Sequence, residues 1–286
     1  MDHKFGGIWT RKKLEVLTKY LRFYSTALKK QKFTLHYADA FAGTGKHTVM
    51  DEHNEELLIP FEDFKGSVLT ALEVEPGFHR YHFNDIEPLH VQELENIRNE
   101  YSGRDITITE QDANQFVPEF CARLKGRDRA VLLLDPYSTQ LDWETLRYVA
   151  DSGKVDLWLL FPLSVILRMT PRDGAKVRPE WRETLNRLLG TDDWETALYA
   201  PKAKPQIDDM FGGESSDPEM ERLNTDELQR WVTARLRERF PFVAEPILLT
   251  NRGRPLFSFY FAVANPEPKA QALAKGVVSH IRQSIG

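Results

Sequence analysis

Three features are scarce in this sequence of 286 residues, and each scarcity excludes a class of protein. There is one cysteine, Cys121, so we expect neither an internal disulfide framework nor a cysteine-based metal cluster. No uninterrupted apolar run approaches the roughly 20 residues that a membrane span needs, and no secretory apolar segment opens the chain. We therefore expect a protein of the reducing cytoplasm that has no membrane partner.

Positive charge is not in excess either. The chain has 38 Lys and Arg against 43 Asp and Glu, a net charge of −5, so it lacks a global electrostatic signature of nucleic-acid binding. A local basic patch is still compatible with this balance. The histidines of the first third have no cysteine pair beside them and no H-x-x-x-H spacing, so we predict no metal site.

The chain does contain five apolar runs with strand character, and helical segments lie between most of them. Near-continuous apolar strands that alternate with helices are typical of a parallel sheet covered on both faces. Two further strand-like runs, EPILLTNR and PLFSFYFAVAN, are separated only by a short Gly-Arg-Pro segment, which is hairpin spacing. The five runs cover residues 33–41, 80–85, 105–112, 130–137 and 155–162.

This element order predicts an α/β fold in one domain over residues 1–286. The fold is a doubly wound, mostly parallel sheet of the S-adenosylmethionine-dependent methyltransferase type, with a C-terminal antiparallel β-hairpin. Apolar spacing predicts an N-terminal helix over about 8–30, whose lysines and arginines we place on its solvated face. Two segments exceed ordinary loop lengths: residues 46–65, and an insertion over about 164–223 before the last crossover helix and hairpin.

The stretch HYADAFAGTGKHT (36–48) lies at the end of the first strand. It fails the phosphate-loop pattern because Ala40 and His47 stand where glycine and Ser or Thr are needed, and it lacks the third glycine of a nicotinamide fingerprint. Glycines at a strand end let backbone amides approach the carboxylate and ribose of S-adenosylmethionine, and the acidic residue can pair with its ammonium group. A tight turn is the alternative. The candidate cofactor residues are Asp39, Phe41, Gly43 and Gly45.

Polar residues also follow the next three strands. Asp85 can accept the ribose hydroxyls after the second strand, and Asp112 and Asn114 lie within reach of an adenine edge after the third. Each of them alone would more often be a helix cap or a turn residue. Acidic residues at four successive strand ends favour a ligand site instead.

The tetrapeptide DPYS follows the fourth strand and supplies Asp135, Pro136 and Tyr137. In amino-methyltransferases such a carboxyl oxygen and the proline carbonyl accept hydrogen bonds from an exocyclic amine, and the aromatic ring stacks on the base. DPYS resembles the DPPY motif of adenine-N6 methyltransferases but has one proline fewer. The alternative is a strand-to-turn transition in which Asp135 caps the next helix.

The ordered set of motifs resembles one family, the three-Cys-motif partner (TcmP) proteins, over residues 8 to 165. The motifs are W…KL…L…YL, YADAFAGTG, GSVLTAL, FND, DAN, LLLDPYS followed by LDW, and VDLWLLFP. The resemblance implies a Rossmann-like methyltransferase-type fold and a radical-SAM-like partner that carries a three-cysteine iron–sulfur motif. Members of the family usually carry DPYG or DPFG, whereas this chain has Ser138.

The insertion contains a basic segment with Trp181 among its cations. Basic residues interleaved with an aromatic ring suit a phosphate backbone and a stacked base, although a solvated helix face would give the same pattern. The candidate nucleic-acid-binding residues are Arg172, Lys176, Arg178 and Arg182. The sequence thus predicts S-adenosylmethionine-dependent methylation of an amino group, with a nucleic-acid base as substrate. The alternative is a non-catalytic partner that keeps the fold to dock a radical-SAM-like enzyme.

Overall fold

The computed structural model describes residues 7–45, 66–201 and 220–285. Strands in these ranges form a large central sheet and a small two-stranded one. In chain order they are β1 (Thr34–Asp39), β2 (Arg80–Asp85), β3 (Ile106–Glu110), β4 (Asp128–Leu134), β5 (Val155–Phe161), β6 (Tyr199–Pro201), β7 (Met220–Arg222), β8 (Phe242–Val243), β9 (Ile247–Asn251) and β10 (Arg254–Val263).

The central sheet has the order β3-β2-β1-β4-β5-β10-β8, and β9 pairs with β10 as well. Strands β1 to β5 are mutually parallel, and β10 runs antiparallel to β5. The β9–β10 hairpin is antiparallel, and β8 pairs with the far end of β10. The predicted fold class, a mostly parallel α/β sheet with a C-terminal antiparallel hairpin, is confirmed.

The central strands are apolar on both faces because helices cover both. In β4, Leu132 and Leu134 belong to one buried cluster, whereas Val131 and Leu133 belong to the other. Successive side chains of a strand point to opposite faces, so the three consecutive leucines of β4 pack alternately into the two buried clusters. Because β1 to β5 are parallel, their carboxyl ends lie at one edge of the sheet, where the candidate site lies.

Helices connect and flank the strands. In chain order they are α1 (Gly7–Leu28), α2 (Ser67–Leu72), α3 (Pro88–Glu100), α4 (Ala113–Arg123), α5 (Trp143–Asp151), α6 (Leu163–Met169), a 3₁₀ turn (Gly174–Lys176), α7 (Pro179–Leu189), α8 (Trp194–Ala197), α9 (Thr225–Arg237) and α10 (Pro268–Ile285). The N-terminal helix α1 packs against α10, which follows the hairpin. None of the helices in the described ranges has the length and apolar composition of a membrane span.

The predicted insertion is largely helical where it is described. Leu185 and Leu189 of α7 and Trp194 of α8 are fully buried in the cluster that also contains α5. The insertion is therefore packed onto the domain through its own apolar face. The segments 46–65 and 202–219 lie outside the described residues.

Candidate functional site

A cavity of about 640 Å³ lies at the carboxyl ends of β1 to β4. Open α/β sheets place ligands at this edge, and the volume lies in the range of small-molecule sites. Of the ten residues predicted for cofactor and chemistry, Asp39, Gly45 and Pro136 do not line it. The seven that do are Phe41, Gly43, Asp85, Asp112, Asn114, Asp135 and Tyr137.

The glycine loop after β1 uses its two predicted glycines differently. Both have positive φ angles, +60° for Gly43 and +68° for Gly45, which side chains rarely adopt. A Cβ on Gly45 would lie 2.5 Å from Cδ1 of Ile97, so this glycine serves the packing of the loop on α3. Apart from its chain neighbours, no atom of the described residues lies within 4 Å of a Cβ built on Gly43, and this glycine lines the cavity. Gly43 therefore lets a ligand approach the backbone.

Asp39 lies behind the cavity wall and is fully buried. Its carboxylate accepts hydrogen bonds from Ser67 Oγ at 2.6 Å and from the Phe41 amide at 3.2 Å. Burial raises the pKa of Asp39 to about 7, and the hydrogen bond from Ser67 acts in the opposite direction. Asp39 does not line the cavity, and its two hydrogen bonds hold the loop, so its pairing with a ligand ammonium stays a prediction.

Asp85 stands at the end of β2 and is 9% exposed. Its Oδ2 accepts from the Gly43 amide at 2.8 Å, and its Oδ1 accepts from the Glu87 amide and from His90 Nδ1, both at 3.0 Å. A carboxylate has about four lone-pair positions, and the described residues fill three of them, which leaves roughly one for a ligand hydroxyl. Asp85 is thus both oriented by the glycine loop and available to a ligand.

The neighbouring Ile86 was not predicted, yet it lines the same cavity and is 52% exposed. An exposed branched apolar side chain beside the Asp85 carboxylate offers a packing surface for a flat ring. The signal was present in the sequence, because Ile86 directly follows the strand-end Asp85 where a polar turn residue would be expected.

Asp112 and Asn114 are tied into the scaffold although both line the cavity. Asp112 caps α4 by accepting from the Asn114 amide at 2.7 Å. The Asn114 side-chain amide donates to the Gln140 carbonyl at 2.8 Å, and its oxygen accepts from the Asp142 amide at 2.9 Å. The two residues thereby link the start of α4 to the loop that follows β4, which carries the predicted chemistry.

Asp135 leaves β4 at the cavity edge, and its Oδ2 receives a hydrogen bond and ion pair from Lys13 Nζ. Lys13 lies on α1 and is only 1% exposed, so its expected place on a solvated helix face is wrong. Its position was readable in the helical spacing, since Lys13 falls four residues from both Trp9 and Leu17 on the inward stripe. A buried ammonium needs a fixed counter-charge, and Asp135 supplies it.

The other three residues of DPYS lie in three different environments. Pro136 is buried, whereas Tyr137 is 67% exposed and lines the cavity. Ser138 has a φ of +60°, a conformation that favours glycine. The backbone therefore makes the same kind of turn that a glycine would make, and serine carries the strain. The next helix, α5, begins after Asp142 and is not capped by Asp135.

The insertion reaches the site through Arg187 of α7, which also lines the cavity. Its guanidinium donates to the Asp142 carboxylate and to the Thr139 carbonyl, the latter at 2.7 Å. Both acceptors lie on the loop between Tyr137 and α5. Arg187 therefore holds this loop in place from outside the sheet.

The four predicted nucleic-acid-binding residues lie outside the cavity lining, and two of them are paired with acids. Lys176 lies 3.2 Å from an Asp173 oxygen, and Arg182 donates to Glu195 at 2.9 Å. Arg178 stacks its guanidinium 4.7 Å from the centroid of Trp181, and Arg172 is exposed. Within the described ranges, no group of three His, Cys, Asp or Glu residues is arranged to hold a metal ion.

No family model matches the chain, and no curated protein matches it either. Among solved structures, protein LPL1258 of Legionella pneumophila aligns over 96% of this chain and 92% of its own at 10% identity, with a TM-score of 0.49. Magnesium protoporphyrin IX methyltransferase of Synechocystis, with bound SAH, aligns over 92% and 89% at 13% identity, with a TM-score of 0.39.

The bifunctional kinase-methyltransferase WbdD aligns over 88% of this chain and 39% of its own at 12% identity, with a TM-score of 0.42. These are distant likenesses in the course of the backbone. The fold assignment of this chain stands on its own strand order, and the nature of the site stands on the residues that line it.

Proposed function

We propose that this chain is an S-adenosylmethionine-dependent methyltransferase that acts on an amino group of a nucleic-acid base. The observation that carries the proposal is that one cavity is lined both by Gly43 and Asp85, here called the first corner, and by Asp135 and Tyr137, the second corner. A methyl donor and a methyl acceptor must meet within bonding reach, and one cavity with two differently equipped corners provides that arrangement.

The first corner suits the cofactor. Asp85 would accept a ribose hydroxyl through its open lone-pair position, and the bare backbone at Gly43 would admit the amino-acid part of the ligand. Ile86 would pack against the adenine ring. When bound, S-adenosylmethionine supplies an electrophilic methyl group on a sulfonium.

The second corner suits a weakly nucleophilic amine. Oδ2 of Asp135 is held by Lys13, which leaves Oδ1 to accept an amine hydrogen and turn the nitrogen lone pair toward the donor. The carbonyl of Pro136 would accept the second hydrogen, and the exposed ring of Tyr137 would stack on the base. Positioning of this kind and exclusion of water lower the barrier without covalent catalysis.

A base within a duplex must leave its stack to enter such a corner, at a cost of a few kcal/mol. The proposal therefore favours a single-stranded or flipped base, with Arg172, Lys176, Arg178 and Arg182 contacting phosphates. If they do, binding to an oligonucleotide will weaken steeply as salt rises, and neutralising Arg172 and Arg178 will flatten that dependence. Salt-independent binding would indicate that these residues form a solvated helix face and do not contact phosphates.

Cofactor binding is tested by thermal shift and calorimetry with S-adenosylhomocysteine. A ligand bound by the folded state raises the melting temperature, and Asp85→Ala should weaken binding by about 1–3 kcal/mol because a hydrogen-bonding partner is lost. Asp105→Ala is the control, since Asp105 directly precedes β3, is exposed and does not line the cavity. A flat titration of folded protein at millimolar ligand would refute the cofactor assignment.

The resemblance to the three-Cys-motif partner family adds a proposed partner, a radical-SAM-like protein with its own iron–sulfur motif. Labelled methyl transfer should therefore be assayed with and without such a protein. Cofactor binding with no transfer to any acceptor under either condition would favour the non-catalytic alternative.

A further inference from the structure

A second cavity, of about 430 Å³, lies at the opposite edge of the sheet. Three of its polar residues, Arg129, Lys154 and Asp156, lie at or just before the starts of β4 and β5, whereas Asp135 follows the end of β4. Six residues separate Arg129 from Asp135 along this strand, which corresponds to about 20 Å. The second cavity is therefore separate from the proposed methyl-transfer site, and nothing in that proposal uses it.

Aromatic side chains form the walls of this second cavity. Phe23 and Tyr24 come from α1, and Phe33 comes from the segment between α1 and β1. Leu273 of α10 completes the rim and is 47% exposed. Planar walls of this kind accept a flat ring system by stacking and by burial of apolar area.

Three cations line the same space, and two of them, Arg129 and Lys154, are held in position by neutral groups. The Arg129 guanidinium stacks 4.7 Å from the centroid of Phe33 and donates to the Asp128 carbonyl at 2.7 Å. Lys154 Nζ donates to the Gly126 carbonyl at 2.7 Å. Within the described part of the chain, neither cation has a carboxylate partner within 4.0 Å, so both charges are available to an anion.

One partly buried acidic side chain also lines this cavity. Asp156 lines the cavity, and its Oδ2 accepts from Tyr20 Oη at 2.5 Å. A carboxyl oxygen of Asp156 can accept a further hydrogen bond from an N–H donor of a ligand, whether or not the group is protonated. The combination of aromatic walls, an N–H acceptor and two cations matches the three parts of a nucleotide: its base, the edge of that base and its phosphate.

Basic residues near the cavity also favour a ligand that carries phosphate. Lys29, Lys30 and Lys32 precede β1, and Lys125 and Arg127 precede the adjacent β4. These five residues are exposed, in a chain whose net charge is −5. Glu267 at the rim is the exposed acid that lines the cavity. A phosphate, or a series of phosphates, would meet concentrated positive potential here.

We propose that this amino-edge cavity binds a nucleotide, with the base between the aromatic walls, Asp156 on its N–H edge and the phosphate on Arg129 and Lys154. The nucleotide comes either free or as one unit of a strand, and the chemistry of recognition is the same. The inference is independent of the methyltransferase proposal, because no residue is shared between the two cavities.

The test is calorimetric titration with 5′-GMP, with guanosine, and with a short single-stranded oligonucleotide that contains guanine. We expect GMP to bind, guanosine to bind at least tenfold more weakly, and Arg129→Gln and Lys154→Met each to weaken GMP binding at least tenfold. Asp156→Asn should weaken GMP and guanosine equally, since it acts on the base. Asp85→Ala should leave GMP binding unchanged because it alters only the first cavity.

An oligonucleotide that binds tenfold or more tightly than GMP, with a steep salt dependence, would identify the nucleotide as part of a strand, whereas equal affinities would identify it as free. The proposal is overturned if neither GMP nor the oligonucleotide binds the folded wild type. It is also overturned if binding survives Lys154→Met and Arg129→Gln but is lost in Asp85→Ala, since the ligand then occupies the first cavity. Failure of S-adenosylhomocysteine to bind would leave this test intact.

Discussion

Replacement of Lys13 by methionine is the most informative perturbation of the site. Methionine keeps the length and apolar stem of the side chain but removes its charge, so the Asp135 carboxylate loses its counter-ion. The Lys13 side chain is 2% exposed and that of Asp135 is 22% exposed, which makes the pair mostly but not wholly buried. Loss of one partner of a buried pair costs about 3–5 kcal/mol, and the partial exposure of Asp135 places the expected loss near the lower value.

The double variant Lys13→Met/Asp135→Asn removes both charges and should recover much of that stability, because no uncompensated charge remains. Urea unfolding of the wild type, both single variants and the double variant closes a mutant cycle. Lys12→Met on the same helix is the control and should change the unfolding free energy by less than about 0.5 kcal/mol. Methyl transfer should stay lost in the double variant even though the fold is restored. A Lys13→Met protein as stable as the wild type would refute the reasoning.

Three further predictions follow from the described contacts. Ser138→Gly should raise the unfolding free energy by about 0.5–1 kcal/mol in urea titrations, because glycine adopts a φ of +60° without strain, and an unchanged or lower value would contradict this. Arg187→Met should raise the KM for the methyl acceptor and lower the melting temperature only slightly, because the loop beyond Tyr137 loses its anchor. An unchanged KM would contradict this prediction. Asp156→Asn should stabilise the protein at neutral pH, because burial raises the pKa of Asp156 to about 7, against 3.8 for an ordinary aspartate. The native state then holds a proton that the unfolded chain has released, so wild-type stability falls as pH rises from about 4 to 7, and the advantage of the variant grows to about 4 kcal/mol. A pH-independent difference would contradict this prediction.

The strands could be predicted from sequence because burial on both faces leaves a continuous apolar run. Val131 to Leu134 are fully buried and alternate between two cores, so no polar residue interrupts the pattern. The hairpin was predictable for the same reason, with two apolar runs and almost no chain between them. These signals are local and strong, and tertiary packing reinforces them.

Helix α10 gave a weaker signal. Its buried face consists of Ala274, Val278 and Ile281, and charged and polar residues separate these positions. The helix exists because α1 offers a complementary surface, with Lys19 Nζ donating to Ser284 Oγ at 3.0 Å. Such a partner lies far away in the chain and cannot be identified from a local window.

Some of the site residues could likewise be placed from the sequence, and others could not. Asp85 and Asp135 could be placed at the cavity because strand ends meet at one edge of a parallel sheet. A strand-end carboxylate that faces a ligand and one that is buried look alike in sequence, so Asp39 could not be told from Asp85. Lys13 shows the converse case, since a lysine in an amphipathic helix is usually solvated. Its spacing from Trp9 and Leu17 was the signal for its burial, and its contact with Asp135 explains how the charge is accommodated inside.

Transfer of labelled methyl groups tests the central claim most directly. S-adenosylmethionine carrying the label is offered with single-stranded and duplex DNA, RNA and protein, with and without the radical-SAM-like partner, to wild type and to Asp135→Ala. We predict that wild type labels a nucleic-acid base amine. We predict that Asp135→Ala labels nothing while it retains its affinity for S-adenosylhomocysteine. Full labelling by Asp135→Ala, or cofactor binding by the wild type without any labelled acceptor, would contradict the account.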